Sequence, residues 1–75
     1  MINLCKFCKE QGYTEEEYEN IKNNIDALSD ALINEYFKQD AYYTVTEVQN
    51  ILEEIGLNTH KFYSYILNKI LEKLY

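Results

Sequence analysis

An all-α fold is predicted by three features of this chain. It has no proline and only two glycines, Gly12 and Gly56, a composition that suits long helices better than tight hairpins. Two T-x-x-E boxes, Thr14 to Glu17 and Thr44 to Glu47, each open a segment with helix-initiating chemistry. Within those segments the apolar residues recur every three or four positions and do not alternate. The expected architecture is a compact bundle of three main helices plus a short N-terminal one, with residues 1–75 as a single domain.

The elements follow in order. Residues 2–11 predict a short helix in which Leu4, Cys5 and Cys8 share one face beside Phe7, with Gly12 as its stop. Residues 15–38 predict the longest helix, about 36 Å at 1.5 Å per residue. Thr14 caps it, and Glu15, Glu16 and Glu17 set negative charge at the positive end of its dipole. Its stripe is Tyr18, Ile21, Ile25, Leu28, Leu32 and Tyr36. A helix of this length either spans the domain or packs partly on a second copy, and its near-heptad spacing points to a homodimer. Residues 39–43 predict a loop. A third helix over 45–55 carries Val45, Val48, Ile51, Leu52 and Ile55, and ends at Gly56 with Leu57 behind it. Asn58 or Thr59 is the expected cap of a last helix over 60–74, whose core face holds Tyr63, Ile66, Leu67, Ile70 and Leu74.

With 75 residues the chain can bury only about 60% of the surface it exposes when unfolded, so its core must be thin. No apolar run approaches the roughly 18 residues of a membrane span, and the first residues do not read as a signal peptide. The cysteines, only two, suit a reducing compartment, and the expected location is cytoplasmic. The net charge of −6 argues against simple polyelectrolyte binding to nucleic acid. Its distribution is uneven: residues 15–56 hold eleven acids against two lysines, whereas residues 57–75 hold Lys61, Lys69 and Lys73 against Glu72.

Residues 44–74 resemble a helix-turn-helix, the motif of a DNA-binding superfamily: a helix ending at Gly56, a short turn Leu57-Asn58-Thr59, and a second helix, with Ile51, Ile55, Leu57 and Phe62 as the apolar residues about the turn. The resemblance implies that the second helix enters the DNA major groove. Lys61, Ser64, Tyr65, Asn68 and Lys69 would then be its reading face, Lys and Asn addressing base edges and Lys also phosphate. The chain departs from that pattern in three ways. Leu52 stands where a small residue is preferred. A core centred on Ile66 and Ile70 suits a turn one residue longer. There is no arginine to address guanine.

The long helix offers a different surface. Glu19, Asn23, Asp26, Asp30 and Asn34 line up opposite the apolar stripe, with Glu16 near them. Carboxylates on a rigid helix can meet a basic surface on another protein, such as a nuclease or a nucleic-acid-binding protein. The same row also reads simply as a solvated face. Cys5 and Cys8 form a C-x-x-C, but a closed zinc site needs about four ligands and His60 is the one further good ligand. Packing as small hydrophobes is their expected role, and no metal or cofactor is expected. One histidine and no glycine-rich phosphate loop make an enzyme a poor reading. Of the eight tyrosines, exposed ones suit an interface, but most read as replacing phenylalanine at the core margins. The expected role is therefore a small regulatory binding protein, first a helix-turn-helix-like, DNA-associated transcriptional regulator and, as the alternative, an acidic inhibitor or antagonist that binds a basic protein surface. A structural oligomerisation module is the third reading.

Overall fold

A computed structural model describes residues 4–38 and 40–75. Four α-helices are present, with no strand among the described residues: α1 (Leu4–Glu10), α2 (Glu15–Tyr36), α3 (Val45–Glu54) and α4 (Tyr63–Leu74). A 3-10 turn over Leu57–Thr59 lies between α3 and α4. The molecule measures 38 × 21 × 19 Å. At about 1.5 Å per residue α2 is nearly as long as that first dimension, so the long helix spans the domain.

Both capping boxes form. Thr14 Oγ1 accepts from the Glu17 amide at 3.1 Å while Glu17 Oε1 accepts from the Thr14 amide at 3.0 Å. Thr44 and Glu47 repeat the arrangement at 3.1 and 3.0 Å. Each box gives partners to two backbone groups that a helix start would otherwise leave to water. Gly56 adopts φ +82°, the left-handed conformation that ends α3 at low cost only for glycine.

The expected boundaries shift most at the end of the long helix and the start of the last one, and α1 and α3 each end one residue early. The described part of the first helix starts at Leu4, and residues 1–3 lie outside the described residues. The long helix ends at Tyr36, two residues before the expected Lys38. Phe37 turns extended and buries its ring edge-on against Tyr43, 5.0 Å between centroids, and the Tyr43 hydroxyl accepts from the Lys38 amide at 2.8 Å. Ring burial thus outcompetes one more helical turn. The last helix begins at Tyr63, three residues after the expected start, and neither Asn58 nor Thr59 caps it. Thr59 Oγ1 instead donates back to the Gly56 carbonyl at 3.3 Å, and His60 Nδ1 accepts from the Phe62 amide at 3.0 Å. Eight residues, Ile55 to Phe62, therefore join α3 to α4, where four, Gly56 to Thr59, were expected.

The buried core is Ile25, Leu32, Phe37, Val48, Leu52, Ile66 and Ile70. α4 makes its largest contact with α2 and a second with α3. Lys69 meets Asp26, and Lys73 meets both Asp26 and Asp30, so α4 advances along α2 in the same sense. Ser29 faces this junction fully buried, its hydroxyl satisfied by donating to the Ile25 carbonyl at 2.7 Å. Of the stripe that pointed to a homodimer, Ile25 and Leu32 are buried and Ile21 and Leu28 pack against the core, whereas Tyr36 is exposed.

Candidate functional site

The face predicted to read DNA is only partly open. Tyr65, placed on the outside of the last helix by its spacing, is half-buried against Phe7 and Phe62, with centroids 5.5 and 6.1 Å away. Burial, more than the nearby Cys8 and Glu10, pushes its hydroxyl pKa upward. Asn68 is also half-buried and turns its amide back to the Ser64 carbonyl at 2.9 Å. Ser64 itself is exposed. Lys61 is exposed but engaged. Its ammonium donates to the Tyr13 hydroxyl at 2.7 Å and lies 5.7 Å from the Phe62 ring centre. The Tyr13 ring centre is 5.3 Å away, so the ammonium sits off the hydroxyl edge of that ring, not over its face.

Lys69 is held by two carboxylates, Asp26 and Glu72, each at 3.6 Å. Lys73, the next basic residue one turn on, reaches Asp26 at 3.0 Å and Asp30 at 2.8 Å. The hydrogen bond from Lys73 holds the Asp26 carboxyl below its ordinary pKa, with the Lys73 and Lys69 charges adding to it, while partial desolvation opposes. The reciprocal shift appears on Lys73, raised first by its hydrogen bond to Asp30 and then by that to Asp26. The two directions agree on one coupled cluster between α2 and α4.

The acidic row on α2 is therefore divided. Asp26 does not point away from the core as its spacing suggested; it lies at the α2–α4 border, half-buried, and with Asp30 neutralises the lysines. Glu16 and Glu19 remain exposed and enter no ion pair with a described residue. Two surfaces that the sequence presents separately, basic on α4 and acidic on α2, meet each other for half their length. The sequence signal was present in the matched spacing: Lys69 and Lys73 are four apart, as are Asp26 and Asp30. What no spacing gives is that α4 runs in the sense that aligns them.

Cys8 is buried under α1, and Cys5, one turn earlier, is partly exposed. Burial raises the Cys8 thiol pKa, with a further push from Cys5 that Lys61 partly offsets. No group of three or more His, Cys, Asp or Glu side chains able to hold a metal occurs among the described residues. A cleft of about 300 Å³ opens beside the two thiols, between α1 and the start of α2, and includes Tyr13, Tyr18 and Glu19. No helix among the described residues is long and apolar enough to cross a membrane. Compared with known proteins, the chain matches no family model, no curated protein and no solved structure.

Proposed function

We propose that this chain is a small, non-enzymatic, cytoplasmic binding protein that recognises a basic surface on a protein partner, acting as its inhibitor or antagonist. The observation that carries this reading is the closure of Lys69 and Lys73 by Asp26 and Asp30. It pairs two of the chain's seven positive charges with carboxylates and leaves most of its other carboxylates facing water. A field of that sign attracts and orients a basic partner and repels phosphate. Glu16 and Glu19, exposed and without an ion pair among the described residues, are the first contacts on α2.

The helix-turn-helix reading would place α4 in a DNA groove, with Lys61, Ser64, Tyr65, Asn68 and Lys69 at the bases. Phosphate contact from Lys69 would first have to break its pairs with Asp26 and Glu72, and Tyr65 would have to leave Phe7 and Phe62. Affinity capture from a lysate of the source cells, with and without nuclease, separates the two readings. A protein retained after nuclease treatment and lost with Glu16→Lys/Glu19→Lys supports the basic-partner reading. Capture that nuclease abolishes, and that Lys61→Glu also abolishes, replaces it with the DNA reading.

A further inference from the structure

Three large hydrophobic side chains are exposed near the end of α2 and the start of α3. Tyr36 continues the stripe of Ile25 and Leu32, four residues beyond the latter, yet is 47% exposed. Val45 stands three residues before the fully buried Val48 on α3 and is 48% exposed. Tyr42, in the segment that joins these helices, is 94% exposed although its neighbour Tyr43 is packed on Phe37. These three residues lie within ten positions of one another along the chain, and Tyr36 on α2 and Val45 on α3 hold the spacing of core residues. A tyrosine held almost wholly in water gains nothing for the isolated fold. At an interface the same ring offers a large contact area with little conformational entropy to lose.

The charges around this end select what can cover it. Glu35, Asp40 and Glu47 flank the apolar residues, against Lys38 alone. α2 has no basic residue in its last turn. Its C-terminus carries the negative end of the helix dipole, and Glu35 adds a full negative charge beside it, an arrangement that costs the free protein stability. A second copy of the chain would bring the same acids face to face. A cationic side chain would instead relieve the repulsion, and arginine would also stack on exposed tyrosine rings.

We infer that the end formed by Tyr36, Tyr42 and Val45 is a docking surface for an arginine-bearing apolar segment of a protein partner, with Glu35, Asp40 and Glu47 receiving the guanidinium groups. This rests on the proposed preference for a basic partner and adds to it a second, apolar contact at the opposite end of α2 from Glu16 and Glu19.

The probe is a short peptide of alternating arginine and leucine, titrated into the isotope-labelled protein and followed by amide chemical shifts. Shifts centred on residues 35–47 support the inference. Tyr36→Ser/Tyr42→Ser, two exposed positions that leave helical circular dichroism unchanged, should weaken binding about tenfold. Glu35→Lys should weaken binding while raising the thermal unfolding midpoint by about 2–5 °C, because the lysine suits the helix dipole. A merely structural glutamate would not give opposite signs. Glu16→Lys/Glu19→Lys should leave peptide affinity within about twofold if the two surfaces are independent. The inference is overturned by shifts centred on Glu16 and Glu19, by equal affinity for a glutamate–leucine peptide, by no binding, or by a dimer that buries the tyrosines. If only Glu16→Lys/Glu19→Lys weakens binding, the docking end fails while the basic-partner reading stands.

Discussion

Lys73 Nζ lies 2.8 Å from Asp30 Oδ1, joining the last turn of α4 to the middle of α2. Asp26 accepts from the same ammonium and also faces Lys69. Two helices from different halves of the sequence are thereby pinned in one relative register by charge as well as by the apolar contact of Ile66 and Ile70 with α2.

Stability should fall in acid as this cluster loses its negative charge. The Asp26 pKa is lower in the folded chain than in the unfolded one. Its contribution is therefore complete above the ordinary aspartate range, about pH 4, and is lost as pH drops through the lowered folded value. Lys73 works in the other direction. Its folded pKa is raised, so its contribution holds through neutral pH and is lost only as pH rises past that raised value in strong alkali. Urea midpoints measured from pH 7 to pH 2 should decline, and Asp26→Asn should flatten the decline. An unchanged slope in Asp26→Asn would assign the acid sensitivity to other carboxylates.

Core truncations should divide by burial. Ile66→Ala and Leu52→Ala remove side chains with no exposed surface and should each cost about 2–5 kcal/mol. Leu28 lies at the core margin, half-exposed, and Leu28→Ala should cost about 1–2 kcal/mol. Chemical denaturation of the three variants gives the order directly, and a Leu28→Ala loss equal to that of Ile66→Ala would contradict the packing described.

Thr14→Ala and Thr44→Ala should each lower stability by about 1 kcal/mol, because each removes the hydroxyl that serves the N3 amide of its helix. Serine at either site should restore most of the loss, while valine, of similar shape but without the hydroxyl, should not.

The two thiols should differ in reactivity. Cys8 is buried and its pKa is raised, so it remains protonated and shielded at neutral pH. Iodoacetamide should alkylate Cys5 first, with Cys8 reacting only in denaturant or in variants that loosen α1, such as Phe7→Ala. Mass-spectrometric mapping of a time course would show the order.

The features legible in the sequence were those set by neighbours along the chain. Thr14 with Glu17, Thr44 with Glu47, and Gly56 at a left-handed stop all act within one helical turn, so residue type and spacing were sufficient. Features set by distant residues were not. Phe37 leaves the helix for Tyr43, and Phe62 holds α4 back from its expected start by joining Phe7 and Tyr65 in an aromatic cluster. The candidate site shows the same division. The sequence named Asp26, Asp30 and Lys69 as members of two rival surfaces, but their meeting depends on the sense in which α4 lies along α2.

The bond between Lys61 and Tyr13, 48 positions apart, bears on how the chain is made as well as on how it rests. Phe7 likewise finds its ring partners only in Phe62 and Tyr65. Of the four helices α1 leaves the ribosome first, yet its aromatic partners Phe62 and Tyr65 follow only after α2 and α3 have been made. During synthesis it has only a thin seat on α2, and its aromatic face stays uncovered until the start of α4 emerges. The aromatic seat of α1 is thus completed only once the start of α4 is available.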